Sequence, residues 1–213
     1  MSEMFDAGLE KLPRIAVKMV KLTALLAALV SYVGCAETPS AEIGAARLSA
    51  KDCAKFSSLM ADPKFETLGR GGSVWGYSQH GGNRSFATTV EDGRINFSRI
   101  GDEPWGIVSQ TITDSLLSGR TVRYSADLKG DVSNIVTHGF GAKSGLYLRY
   151  GQGRATTLAE HEPNVGQWDW QRVELEVRVP EGFDYVEVGF LYQGGEGVLS
   201  ARAPKVELLE CLP

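Results

Sequence analysis

The residues of this chain best suited to chemistry are four tryptophans and a few planar polar side chains. A pyranose presents an apolar C–H face that stacks on an aromatic ring. Amides, carboxylates and guanidinium groups beside the ring can then fix the hydroxyls. Trp105 follows the loop stretch Gly101-Asp102-Glu103-Pro104, where burial is not required, and Trp168 comes two residues after Gly166. Both are the stacking candidates. Asp127, Tyr147, Arg149 and Gln193 alternate away from apolar neighbours and would line a groove if their sheet is concave. The competing expectation is a solvated sheet face laced with ion pairs. Gln110 either joins the groove or pairs with backbone.

Signs of catalysis are few. The chain has no G-x-S-x-G elbow and no H-E-x-x-H helix. His80, His138 and His161 stand apart in polar or Gly-rich contexts and read as loop residues. The pairs Asp102/Glu103 and Glu160/Glu162 read as solvated loop charges. A glycosidase needs two carboxylates facing each other across about 5–10 Å, a relation that spacing alone does not give. With three His and three Cys the chain is poor in transition-metal ligands, and no metal site is expected.

The elements that must position these groups are strands. From about residue 62 onward, apolar residues recur at period two between turn residues. Arg94–Ser98 alternates after the turn signal Asp92-Gly93. Ile107–Thr113, Thr121–Lys129, Leu146–Tyr150, Gln171–Pro180, Tyr185–Gln193 and Val206–Glu210 continue the pattern. In Gln171–Pro180, Val173, Leu175, Val177 and Val179 alternate with polar or charged residues. Eight or nine such strands in about 150 residues predict an all-β fold, an antiparallel β-sandwich of the jelly-roll kind. The 25 glycines in 213 residues fit many tight turns. A composition of 43% hydrophobic and 23% charged residues excludes a mainly disordered chain and a polytopic membrane protein.

The N-terminus reads as an address. Lys11, Arg14, Lys18 and Lys21 precede the uncharged apolar run Leu22–Val33. Its 12 residues suit a signal-peptide core and fall short of the roughly 20 that a membrane-spanning helix needs. Residues 1–35 are therefore expected to be a signal segment, with Met19 an alternative start. Gly34-Cys35 resembles a bacterial lipobox, with Tyr32 in place of the usual Leu. Cys35 is the expected lipidation site, which would tether the protein to a membrane. Glu37 then favours the outer membrane. Cleavage after Ala36, giving a freely periplasmic or secreted protein, is the rival. Residues 36–60 read as a tether, with a short helical turn at 53–60, and residues 61–213 as the sandwich domain.

Export permits disulfides. Without Cys35, Cys53 and Cys211 remain, at the two ends of the domain, and a bridge between them would staple its first and last segments. Two unpaired buried thiols are the alternative. Residues 36–213 carry 18 Lys/Arg against 23 Asp/Glu, which argues against nucleic acid as a partner.

Several segments together resemble the galactose-binding-like jelly rolls, especially family 4 and family 9 carbohydrate-binding modules. Asp62-Pro63-Lys64-Phe65-Glu66 is similar to their opening G-D-F-E strand, and Trp75 to the Trp that follows it. Trp105–Ile112 resembles G-x-x-x-Q-x-I, and Gly119–Lys129 (GRTVRYSADLK) resembles G-K-x-V-R-F-S-A-x-L-K. Trp170-Gln171-Arg172 with Val179-Pro180 is similar to D-W-x-R…V-P, which places Trp170 in the core and makes Trp168 an addition to the pattern. The family's last strand, W-x-D-D-V, pairs its Asp with the early Glu around a structural calcium. Here that strand reads Ser200–Val206 without carboxylates. Glu66 alone is a poor calcium ligand, so no cofactor is expected.

The resemblance implies a non-catalytic module whose partner is an oligo- or polysaccharide. Trp105 and Trp168 would stack, while Gln110, Asp127, Tyr147, Arg149 and Gln193 hold hydroxyls. The alternative is a structural or assembly lipoprotein of the envelope that binds a protein. A polysaccharide lyase or glycosidase ranks below both. The Arg-x-Glu-x-Arg and Gln-x-His strands usual in jelly-roll lyases do not occur, and Arg172–Glu176 only imitates the first.

Overall fold

The structure is a computed structural model that describes residues 47–57, 59–69, 71, 73–135, 138–151 and 165–211. The leader, Cys35, Glu160, His161 and Glu162 lie outside the described residues. Among the described residues one helix, α1 (Ala50–Ser57), precedes nine strands: β1 (Gly76–Gln79), β2 (Phe86–Glu91), β3 (Arg94–Arg99), β4 (Trp105–Thr113), β5 (Thr121–Val132), β6 (Lys143–Tyr150), β7 (Gly166–Arg178), β8 (Tyr185–Gln193) and β9 (Gly197–Leu208). Every segment with period-two alternation overlaps one of these strands. β1 and β2 carry too few alternating apolar residues to stand out in the sequence.

The strands form two antiparallel sheets. The four-stranded sheet has the order β1-β4-β8-β6 and the five-stranded sheet the order β2-β3-β9-β5-β7. The chain is thus an all-β antiparallel sandwich, as its alternation requires. Val108, Ile112, Leu146, Leu148, Val186, Val188 and Phe190 project from the first sheet into the core. Ile95, Phe97, Val122, Tyr124, Ala126, Leu128, Leu199 and Val206 meet them from the second. Rings knit the layers together: Phe86, Phe97 and Tyr192 pack with centroids 5.3–6.0 Å apart. Phe65, Trp75 and Phe190 pack at 4.9–5.9 Å. Such pairs add about 0.5–1.5 kcal/mol beyond area burial.

Residues ahead of the strands also pack onto the core. Ser49 caps α1: its hydroxyl accepts the Asp52 N–H at 3.2 Å and donates to the Asp52 carboxylate at 2.6 Å. The helix buries Phe56 completely. Cys53 bonds to Cys211, with Cα atoms 5.5 Å apart, so the expected staple is present. The short helix foreseen at 53–60 starts three residues earlier.

Asp62–Glu66, read as an opening strand, is a turn. Asp62 (φ 47°) and Phe65 (φ 60°) adopt left-handed backbone, which ends any ladder there. The Asp62 carboxylate holds the turn by accepting the Glu66 N–H at 2.7 Å, the Thr67 N–H at 2.9 Å and the Thr67 hydroxyl at 2.6 Å. The Trp75 indole donates to the Asp62 carbonyl at 2.9 Å. Trp75 is therefore a packing residue.

Candidate functional site

Strand register gathers four loops at one end of the sandwich. Gln79 at the end of β1 pairs with Gly106, and Trp105 at the start of β4 pairs with Gln193 at the end of β8. Gln193 pairs in turn with Lys143 at the start of β6. The β1–β2, β3–β4, β5–β6 and β8–β9 connections therefore emerge together. Hydrogen bonds brace them. The Ser85 carbonyl accepts the Ile100 and Gly101 N–H groups at 2.8 and 3.1 Å. Ser133 N–H donates to the Glu196 carbonyl at 3.0 Å, and the Gln193 amide donates to the Gly141 carbonyl at 2.6 Å.

Among these loops lies a cavity of about 350 Å³ lined by His80, Asp102, Glu103, Pro104, His138 and Phe140. Its size is at the lower end of small-molecule sites. The His80 ring packs edge-to-face on Phe140 (centroids 5.5 Å apart) and on Trp105 (6.0 Å). Its Nδ1 lies 3.0 Å from the Glu103 carboxylate. Half the His80 side chain is open to solvent, whereas Glu103 is mostly covered. Glu103 packs on Gly82, whose φ of 57° lies in the left-handed region that favours glycine. The Phe140 ring, two imidazoles and two carboxylates thus line one concavity.

The outward face of the four-stranded sheet continues from this end. Cross-strand rows read Trp105, Gln193, Lys143; then Ile107, Leu191, Gly145; then Ser109, Gly189, Tyr147; then Thr111, Glu187, Arg149. Four of the seven expected ligand residues, Trp105, Tyr147, Arg149 and Gln193, share this face. The last two rows hold a polar cluster. Glu187 accepts the Ser109 hydroxyl at 2.6 Å and the Arg149 guanidinium. The Arg149 guanidinium also lies over the Tyr147 ring, 5.9 Å from its centroid. Burial pushes the Tyr147 hydroxyl well above the ordinary phenol range, and the hydrogen-bonded Glu187 charge adds to this. Tyr147 keeps its proton, and the cluster is satisfied within itself.

The other three expected residues lie elsewhere. Gln110 points inward and is buried. It accepts the Ala61 N–H at 3.1 Å and donates to the Ala61 carbonyl at 3.0 Å, so it is a backbone clamp. Asp127 lies on the outward face of the five-stranded sheet, bridging Arg172 and Arg202 at 3.3 Å each. It cannot share a groove with Tyr147. Trp168 packs inward against the core, over Gly130, where a Cβ would meet its ring at 2.0 Å. Trp170, expected in the core, instead stacks under Arg202 at 4.3 Å.

Trp170 faces outward by alternation with the buried Val173 and Leu175, and a β-bulge turns Trp168 inward. Leu128 pairs with Gln171 and Gly130 with Trp168, so Asp169 and Trp170 together oppose Lys129. Strict alternation would put both Trp side chains on one face, and the extra residue separates them. His80, Glu103 and Phe140 are the site residues that sequence reasoning missed. Loop residues carry no periodicity to mark them. Glu187 was missed as well, although its alternation in phase with Gly189, Leu191 and Gln193 is a signal that could have found it.

The calcium associated with the resembling family does not fit here. Glu66 lines a cavity with Asp92, Lys64 and Arg202. Two cationic side chains stand where oxygen ligands would be needed. Among the described residues no group of three or more His, Cys, Asp or Glu could hold a metal ion.

No family model and no curated protein matches the chain. Solved structures of similar shape include the enzymatically active domain of tailspike protein 4 from bacteriophage CBA120, at 15% identity and TM-score 0.47, covering 64% of this chain. The match spans only 20% of that tailspike domain's length. TmCBM61 in complex with β-1,4-galactotriose is similar at 13% identity and TM-score 0.46, over 70% of this chain and 97% of that one. A CBM4 structure is similar at 19% identity and TM-score 0.45, over 63% and 86%.

Proposed function

We propose that this chain is a non-catalytic glycan-binding β-sandwich, exported and anchored through Cys35. One observation carries the reading: His80, Phe140, Pro104, Glu103 and Asp102 wall one cavity at the loop end, with Trp105 packed behind His80. Rings offer a face to the apolar side of a sugar, and the carboxylates accept its hydroxyl protons. Glu187, the carboxylate on the adjoining sheet face, is held by Ser109, Arg149 and Tyr147. It serves as a brace for that face. The Cys53–Cys211 disulfide suits an oxidising compartment.

The test is a glycan array with the full chain, followed by titration calorimetry of Phe140→Ala and Trp105→Ala variants. Binding that weakens by about tenfold or more, equivalent to about 1.4 kcal/mol, with an unchanged thermal transition supports the site. A blank array from protein with a cooperative thermal transition overturns glycan binding. Retrieval of a protein partner from envelope extracts would then favour an assembly role.

A further inference from the structure

A second cavity, of about 720 Å³, opens at the same end of the sandwich between Ile100, Gly101, Asp102, Ser133, Ile135 and Glu196. Asp102 lines both this cavity and the smaller one beside His80. The two are neighbours on either side of one carboxylate. Ile100 and Ile135 are 62% and 59% exposed and line the same cavity, which places two apolar side chains on one concave surface. We infer that the loop end is one continuous groove for an uncharged or amino-bearing oligosaccharide chain, with subsites on both sides of Asp102. This rests on the glycan-binding reading above and specifies its ligand.

The groove is preorganised by Arg99. Its guanidinium donates to the Gly101 carbonyl at 2.6 Å, to the Asp102 carbonyl at 2.8 Å and to the Gly194 carbonyl. One cation thereby ties the β3–β4 loop to the β8–β9 turn. Gly101 packs so closely on Ser85 that a Cβ would lie 2.6 Å from its hydroxyl and 3.0 Å from its Cα. The β1–β2 loop is fixed to the same frame. A wall held in this way loses little freedom when a ligand arrives, which favours affinity.

Charge selects the class of chain. Asp102, Glu103 and Glu196 line the two cavities. Against these three carboxylates stands Arg99, which lines the larger cavity and keeps its charge while it donates to backbone carbonyls, and the His80 ring is paired with Glu103. The groove therefore presents net negative charge. A polyuronate or sulfated glycan would meet like charge, whereas neutral or amino sugars would not. Ile100 and Ile135 supply the apolar contact for the C–H faces of sugars in the larger cavity, past a dimer held at the smaller one.

The experiment is calorimetry on the full chain at low ionic strength. The probes are dimers and hexamers of neutral xylo-, cello- and galacto-oligosaccharides and of glucosamine, with a hexamer of galacturonate. The expected result is a neutral or glucosamine hexamer binding about tenfold more tightly than the corresponding dimer, and the galacturonate hexamer at least as far below it. An Ile100→Ala/Ile135→Ala variant should lose the gain with chain length and leave dimer affinity unchanged. Both positions are exposed, so the fold should tolerate the change, and the thermal transition checks it. Equal affinity for dimer and hexamer, a preference for galacturonate, or a double variant indistinguishable from the parent would overturn the groove while leaving glycan binding standing. If no saccharide binds to folded protein, both readings fall.

Discussion

Gln110 illustrates how one side chain's role depends on which face of its strand it occupies. An amide that could have met a sugar hydroxyl instead completes both polar groups of Ala61. Replacing it with Ala would leave the Ala61 N–H and carbonyl without these partners in a part-buried place. That costs about 1–3 kcal/mol. Urea denaturation of Gln110→Ala should show this loss, while glycan affinity of the folded variant stays at the parent value. A drop in affinity without a drop in stability would return Gln110 to the binding set. The same phase argument explains what the sequence made legible. Trp105, Tyr147, Arg149 and Gln193 share a face because β4, β6 and β8 alternate without interruption and pair in a single sheet. Asp127 alternates just as cleanly, but it belongs to β5 in the other sheet. Alternation assigns a residue to a face of its own strand and says nothing of which sheet that strand joins.

Elements departed from expectation where the backbone leaves its regular path. The bulge in β7 set Trp168 and Trp170 on opposite faces, and left-handed residues turned Asp62–Glu66 away from a strand. Neither event changes the apolar pattern, so periodicity does not register it. The connection after β4 makes a testable element. Asp114 caps the 3-10 turn Ser115–Leu117 by accepting the Leu116 N–H at 2.9 Å, and it pairs with Lys55 of α1 at 2.9 Å. These contacts, the backbone N–H first, hold its carboxyl below the ordinary value of 3.8. A depressed carboxyl stabilises the fold fully above its unfolded-state value and loses that contribution as pH falls through the folded one. Asp114→Ala should therefore be less stable than the parent by about 0.5–2 kcal/mol near neutrality. The gap should narrow as pH falls below 3.8. Urea midpoints for both proteins at neutral and acid pH measure it, and a gap independent of pH would show that the charge of Asp114 does not contribute.

At the scale of the whole molecule the sandwich has two ends with different work. At one end, α1, the 3-10 turn after β4 and the Cys53–Cys211 bridge close the domain. At the other, four loops form the cavities. The strands between them are up to 13 residues long, and a rise of about 3.3 Å per residue separates the ends by tens of ångströms. The bridge spans 158 residues of sequence. Chain entropy alone gives a bond of that span about 5 kcal/mol as an upper figure, and removing native bridges typically costs about 2–5 kcal/mol. Because the constraint acts mainly on the unfolded chain, it should not alter the loop end of the folded one. A Cys53→Ala/Cys211→Ala variant should unfold at a clearly lower temperature. Below that transition it should bind saccharide with the parent's affinity. Loss of binding in protein that is still folded would mean that the two ends are coupled through the sheets, and the loop end could then no longer be treated as a self-supporting site.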